Sequence, residues 1–180
     1  TLSNPCREIG FVPVTKDGRC GVQFCNLTSI NGAKIDTKAK FLDAVKAATI
    51  VGTLQAAYSD FDYLRPASKQ LTEGEALLGV SITGIMDNPK VLLNPEYQKE
   101  GAEFSVRVNK SWAKKLSVNQ AARITCIKPE GTSSLVLGSA SGIHPHHSRK
   151  YFRRIQCNKL DPVYKHFKKS NKHMCEESVW

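Results

Sequence analysis

Three polar side chains near the beginning of the chain have the types and spacing to do chemistry together: the amide of Asn4, the thiol of Cys6 and the carboxyl of Glu8. On an extended backbone alternate side chains share one face, so this spacing predicts that the three groups line one pocket. A simpler interpretation makes Cys6 a small buried hydrophobic residue and Glu8 a surface carboxylate. The pattern alone does not decide between them.

A second candidate site lies in the run Lys-Pro-Glu-Gly-Thr-Ser-Ser over residues 128–134. One glycine, three hydroxyls and consecutive backbone N–H groups follow a short apolar run, and such donors converge on anions at loops and helix starts. The candidate phosphate-binding residues are Gly131, Thr132, Ser133 and Ser134. A capped turn explains the same residues, and the run is not the phosphate loop of common nucleotide hydrolases.

The elements that must position these residues alternate between strands and helices, which predicts an α/β fold with parallel strands joined by long crossover helices. Apolar residues recur every three or four positions in the helical segments, and β-branched runs between glycines mark the buried strands. The predicted helices are 36–59, 67–78, a helix of about 20 residues from Asn94, and 161–170. The predicted extended segments are 4–14, 21–30, 78–85, 122–127 and 151–156.

The composition is that of an ordinary globular protein and excludes a disordered or collagen-like chain, since 41% of the 180 residues are hydrophobic. No apolar stretch approaches the length of a membrane span and no signal peptide is evident, so the expected location is the cytoplasm. The net charge is +10, and residues 144–180 hold nine basic against three acidic residues. A basic nucleic-acid-binding α/β module is therefore an alternative function, although a solvated helix face explains the same charge.

The six cysteines are too few for a disulfide scaffold and none forms a C-x-x-C pair, so reduced thiols are expected. The histidine-rich segment 144–147 and the His-Met-Cys run 173–175 match no usual zinc spacing, so no metal site is predicted. Cys126, Cys157 and Cys175 are interpreted as buried or incidental thiols.

Several motifs, in order along the chain, resemble the large catalytic subunit of ribonucleotide reductases. The first is Asn-Pro-Cys-x-Glu-Ile over residues 4–9, and the second is Cys-Asn-Leu over 25–27. The others are the strand Leu-Leu-Gly-Val-Ser-Ile-Thr-Gly-Ile of 77–85, the Lys-Pro-Glu-Gly-Thr run already described and Gly-Ile-His-Pro-His-His over 142–147. The resemblance spans nearly the whole chain and implies part of a ten-stranded α/β barrel.

The resemblance implies a radical reduction of ribonucleotides to 2′-deoxyribonucleotides. Cys6 would carry a thiyl radical that takes the ribose 3′-hydrogen, Glu8 would act as general base on the 3′-hydroxyl, and Ser3 and Asn4 would contact the ribose. Cys25 would be one member of a cysteine pair that supplies two electrons. Its family partner lies upstream of residue 1; Cys20 is an imaginable substitute but is expected to be a bystander in a turn.

The resemblance also implies partners and a radical source. The motifs are most similar to the adenosylcobalamin-dependent ribonucleoside-triphosphate reductases, and a separate metal-bearing radical subunit is the alternative. The substrate would be a ribonucleoside tri- or diphosphate held at Gly131, Thr132, Ser133 and Ser134, and thioredoxin or glutaredoxin would be the reductant. Nucleotide effectors would act through other regions. The chain is expected to be an internal fragment of the enzyme in which residues 1–180 form the C-terminal part of the catalytic barrel domain, inactive by itself, with no second domain.

Overall fold

The computed structural model describes residues 2–178, which divide into two compact units. The first extends to His146 and contains the predicted thiol and phosphate motifs. The second begins at His147 and contains one longer helix. Within residues 2–178 no helix combines the length and the apolar composition that a bilayer crossing needs.

The centre of the first unit is a parallel pair of strands, β3 (Asn26–Asn31) and β4 (Leu78–Thr83). Their register places Asn26 opposite Leu78 and Asn31 opposite Thr83. On its other edge β4 bonds to residues 123–126, where Val80 pairs with Thr125 in parallel. The predicted strand over 122–127 is thus present as a short bridge. Strands and helices alternate, which confirms the α/β class.

The two faces of β4 have opposite character because successive side chains of a strand point in opposite directions. Leu78 and Val80 are buried in the hydrophobic core together with Ile30 of β3. The other face carries Gly79, Ser81 and Thr83, which are small or polar. This second face has room for functional side chains beside its three small or polar residues.

Two long helices, α1 (Lys38–Gln55) and α4 (Pro95–Leu116), confirm the helices predicted from apolar periodicity. Thr37 caps α1 and Asn94 caps α4, each through a side-chain oxygen that accepts backbone N–H groups of the first turn. Helix α1 packs on both central strands and α4 packs on α1. Together they cover the apolar face of the sheet.

Shorter elements connect this framework. The helices are α2 (Pro66–Glu75), α3 (Pro89–Leu92) and α5 (Ser133–Leu137), and 3-10 turns occupy 32–34 and 85–87. At the start of the chain β1 (Leu2–Ser3) pairs antiparallel with β2 (Gly10–Phe11). The long extended segment expected over residues 4–14 is therefore a short hairpin.

The second unit contains α6 (Pro162–Ser170), capped by the Asp161 carboxylate, and a 3-10 turn over 172–174. This confirms the predicted helix. The strand predicted over 151–156 is wrong: these residues have no regular secondary structure and are exposed. Alternation of apolar and polar residues does not make a strand without a neighbouring strand that satisfies its backbone.

Candidate active site

The residues from Asn4 to Ile9 form the turn of the β1–β2 hairpin. Asn4 holds the turn closed, because its Oδ1 accepts the Ile9 N–H at 3.1 Å and its carbonyl accepts the Arg7 N–H at 3.0 Å. Arg7 adopts a positive φ of 62°, a left-handed conformation that reverses the chain. The extended backbone predicted for Asn4, Cys6 and Glu8 is therefore wrong, because a tight reversal replaces the strand.

The turn separates the environments of its thiol and its carboxyl. Cys6 is exposed, whereas the side chain of Glu8 is only 5% exposed. Asn4 lies close to Glu8, since its side-chain amide is one of the groups that lower the pKa of the Glu8 carboxyl. The structure thus brings the amide close to the acid and leaves the thiol of the same turn exposed.

The Glu8 carboxyl meets Lys128, which lies 120 positions further along the chain. Lys128 Nζ is 3.4 Å from Glu8 Oε1, and the lysine side chain is 17% exposed. Burial raises the pKa of Glu8, but its own backbone N–H, the Asn4 amide and the Lys128 ammonium together outweigh burial and hold that pKa below its ordinary value. Glu8 is therefore a carboxylate at neutral pH, as a general base must be.

One oxygen of the Glu8 carboxylate accepts no hydrogen bond from the described residues. Glu8 Oε2 is buried and has no hydrogen-bond partner among residues 2–178. A buried acceptor without a donor costs about 1–3 kcal/mol, so a donor brought by a ligand would recover that free energy. A substrate hydroxyl is such a donor.

Two further thiols lie on the polar face of the sheet, next to Gly79 of β4. A Cβ atom at Gly79 would be 3.1 Å from the Sγ of Cys25 and equally 3.1 Å from the Sγ of Cys126. Cys25 precedes β3 and Cys126 follows the bridge at Thr125, so the two thiols approach from opposite edges of β4. The missing side chain of Gly79 makes room for both sulfur atoms.

Both thiols are kept protonated. Burial raises the pKa of Cys25 to about 12, and the charges of Cys126 and Glu8 act in the same direction while Lys128 opposes them. Burial likewise raises the pKa of Cys126 to about 11, with Glu8 adding to the rise. At neutral pH each is therefore an S–H group that can give up a hydrogen.

Cys25 and Cys126 are both free thiols in the structure. Cys126, interpreted from sequence as a buried or incidental thiol, is thus a neighbour of the candidate reductant thiol Cys25.

The segment predicted to bind phosphate contains the last turn before α5. Gly131 and Thr132 are exposed, whereas Ser134 is buried and donates its hydroxyl to the Gly131 carbonyl at 3.4 Å. Glu130 is only 3% exposed, and its carboxyl accepts the hydroxyls of Ser29 and Ser133, so this side chain points into the protein.

The remaining predicted residues lie apart from this cluster. Ser3 is exposed in β1, opposite Gly10. Cys20 is exposed and pairs with Val14 next to the turn at 16–18, where a bystander was expected. Among residues 2–178 no group of three or more His, Cys, Asp or Glu side chains is arranged to hold a metal ion.

Sequence reasoning missed the contribution of Lys128, Ser81 and Cys126. Ser81 Oγ accepts the Lys128 N–H at 3.1 Å and so anchors the segment that leads to the phosphate loop. The sequence did contain a signal for Ser81: the segment Leu-Gly-Val-Ser-Ile-Thr resembles a continuous apolar strand, but every second residue is small or polar. Lys128 carried no signal of its own, because only folding brings it to Glu8.

Comparison with solved structures defines the class of fold. The chain is similar to a B-12 dependent (class II) ribonucleotide reductase, with a TM-score of 0.53 and 21% sequence identity. The superposition covers 79% of this chain and 22% of that one. The chain therefore shares its fold with part of a ribonucleotide reductase. No protein-family model matches the chain.

The curated relatives are more particular, and those described here are all adenosylcobalamin-dependent ribonucleoside-triphosphate reductases. The proteins of Lactobacillus delbrueckii subsp. bulgaricus and Lactobacillus acidophilus are each 21% identical, over 89% and 95% of this chain. The protein of Euglena gracilis is 27% identical over 54%. The chain spans about a quarter of the length of the Lactobacillus relatives, 24% and 25%. These matches confirm the resemblance that the sequence motifs predicted.

Proposed function

We propose that this chain is part of the catalytic barrel of a ribonucleotide reductase that converts ribonucleotides to 2′-deoxyribonucleotides by radical chemistry at Cys6. The observation that carries the proposal is the hairpin turn, in which an exposed thiol lies two residues from a buried, ionised carboxylate with one unpaired oxygen. A tight turn held by Asn4 fixes the positions of both groups, and short-range hydrogen transfer needs that rigidity.

The first step is hydrogen transfer to sulfur. A thiyl radical at Cys6 takes the hydrogen atom from ribose C3′, which leaves a thiol on Cys6 and a carbon radical on the sugar. An S–H bond is about as strong as this C–H bond, so the transfer is reversible. Glu8 accepts the proton of the 3′-hydroxyl on its free oxygen, and the 2′-hydroxyl leaves the sugar radical as water by taking up one proton, so that the 3′-hydroxyl proton balances this loss. Ser3 and Asn4 orient the ribose.

The second step is two-electron reduction. Cys25 and a partner cysteine give up two electrons and two protons to the sugar as they close to a disulfide, and Cys6 then returns the hydrogen atom to C3′. The raised pKa of Cys25 supports this role because the thiol still carries its hydrogen at neutral pH. Its partner cysteine lies outside this chain, and thioredoxin or glutaredoxin regenerates the dithiol.

The substrate is a ribonucleoside triphosphate or diphosphate, and the names of the relatives favour the triphosphate. The phosphates lie at Gly131, Thr132, Ser133 and Ser134, which are the two exposed residues before α5 and the first two residues of that helix. The inward carboxyl of Glu130 supports this placement, since its charge is held by Ser29 and Ser133 rather than presented to an anion. The barrel has ten strands, acts in the cytoplasm and responds to nucleotide effectors through other regions.

Adenosylcobalamin is the radical source we propose, because the relatives depend on it; a separate metal-bearing subunit is the alternative. When bound, the cofactor would supply the radical that removes the hydrogen atom of the Cys6 thiol. The exposed position of Cys6 fits a group that approaches from outside the turn. No other residue of this chain is assigned to the cofactor.

The test replaces cysteines one at a time in the complete protein that contains this chain. Cys6→Ser is expected to abolish deoxynucleotide formation, because a hydroxyl O–H bond is too strong for reversible hydrogen transfer. Cys25→Ser is expected to permit radical formation but to block turnover with dithiols. Cys20→Ser is the matched control, an exposed thiol near the same hairpin, and should retain normal turnover. Normal deoxynucleotide formation by Cys6→Ser would refute the proposal.

A further inference from the structure

The contact between Glu8 and Lys128 joins two distant parts of the chain inside the candidate active site. Glu8 belongs to the hairpin turn, and Lys128 belongs to the segment between the edge of β4 and the phosphate loop. Their side chains are 5% and 17% exposed, far more buried than other acid–base pairs such as Lys40–Asp36. Buried ions are costly, so a pair retained in such a place requires a specific explanation.

The main chain around Lys128 is fixed on two sides. Its N–H donates to Ser81 Oγ at 3.1 Å. Its carbonyl oxygen is so close to Gly142 that a Cβ there would lie 2.6 Å away, and Gly142 has a φ of +52°, which favours glycine. The backbone therefore directs the lysine side chain toward the hairpin before any ligand arrives.

We propose that Lys128 is a positioning residue for the general base: its ammonium holds one oxygen of the Glu8 carboxylate and leaves the other oxygen to receive the substrate hydroxyl. This proposal rests on the proposed function, since it assigns a role toward the base of that reaction. The division of roles agrees with the structure, where Oε1 faces Lys128 at 3.4 Å and Oε2 is buried without a partner among the described residues.

The ionisable groups around the pair are few. Cys25 and Cys126 face Glu8 from the edges of β3 and β4, and burial keeps both protonated. Cys6 and Glu130 act on Lys128 from the hairpin and from the phosphate loop. Lys128 is thus the cation among these groups, and its removal would leave Glu8 among neutral thiols and a second carboxylate.

The experiment measures kcat and KM against pH in the complete protein for wild type, Lys128→Met and Lys128→Arg. An opposite charge at this range lowers a carboxyl pKa by about 1–3 units. Because the Glu8 backbone N–H and Asn4 lower this pKa as well, Lys128→Met should move the acid limb of the profile upward by about one unit, the lower end of that range. Turnover should fall about tenfold at the acid end of the profile and recover at higher pH. Lys128→Arg should restore most of the wild-type profile, because it restores the cation.

Lys16→Met is the control, since Lys16 is an exposed lysine in the turn at 16–18 and its loss should leave the profile unchanged. If Lys128→Met does not fold, Lys128→Gln gives the same test with a polar side chain of similar reach. An unchanged acid limb, or a raised KM without any shift of the limb, would overturn the proposal; the latter would make Lys128 a phosphate ligand. A different result would overturn the proposed function, namely deoxynucleotide formation by the Cys6→Ser enzyme.

Discussion

The thiols of this chain should differ sharply in reactivity, and the difference can be calculated from their surroundings. Cys25 and Cys126 lie against Gly79 with pKa values raised from 9.0 to about 12 and about 11. Cys20 and Cys157 are exposed. Since the thiolate is the species that alkylates, burial should protect the first two and leave the others reactive.

The expected protection follows from the thiolate fraction. At pH 8 a rise of three pKa units lowers the thiolate fraction of Cys25 about a thousandfold, and a rise of two units lowers that of Cys126 about a hundredfold. A thiolate of higher pKa is also more nucleophilic, with a Brønsted slope of about 0.5. For Cys25 the higher nucleophilicity raises the rate about thirtyfold, which offsets part of the loss of thiolate. The alkylation of Cys25 should therefore be at least about thirtyfold slower than in the unfolded chain.

The assay is a time course of iodoacetamide labelling at pH 8 in native buffer and in urea, read for each cysteine by peptide mass spectrometry. The ratio of the urea rate to the native rate removes differences between the flanking sequences. It should be at least about thirty for Cys25 and close to one for Cys157. Native labelling of Cys25 should also keep rising up to pH 9 without levelling. A ratio near one for Cys25 would refute the placement of this thiol beside Gly79.

Two further predictions concern the framework. Asn109 is fully buried and its side chain accepts the Ala121 N–H at 2.9 Å, so Asn109→Ala should lower the free energy of unfolding by about 1–3 kcal/mol. Urea unfolding measures this, with exposed Asn119→Ala as a control that should change little; equal effects of the two variants would contradict the buried network. The basic residues of 149–154 are exposed and lie outside regular secondary structure, so limited trypsin digestion should cut there well before it cuts helix α1. First cleavage within α1 would contradict the fold.

Local signals in the sequence predicted the framework well. Helices α1 and α4 follow from apolar spacing and from the caps at Thr37 and Asn94, which act within one turn of the helix. Strand β4 follows from its β-branched residues between glycines. These elements depend on interactions between residues that are close in the sequence, so local patterns predict them.

The geometry of the candidate site depends on contacts that are distant in the sequence. The Asn4–Glu8 spacing suited a strand, but the positive φ of Arg7 and the side-chain bond from Asn4 to the Ile9 N–H make a turn instead. The Lys128–Glu8 pair spans 120 positions, so no local pattern in the sequence marks it. Motif resemblance suggested a chemistry for these residues, whereas folding determined which of them meet.

The position of Cys126 beside Cys25 and Gly79 is another contact that the sequence could not predict. Nothing in the run Thr-Cys-Ile separates a thiol that faces the site from one that faces the core. Successive side chains of a strand point to opposite faces, so the register of the strand decides which face Cys126 occupies. The pairing of Thr125 with Val80 sets that register.

Hydrogen transfer from the ribose to Cys6 is the central claim, and a substrate deuterated at C3′ tests it most directly. The complete enzyme should consume the deuterated ribonucleotide more slowly than the unlabelled one in direct competition, and Cys6→Ser should consume neither. A Cys6→Ser enzyme that forms deoxynucleotide at the wild-type rate, with no discrimination against deuterium, would contradict the account.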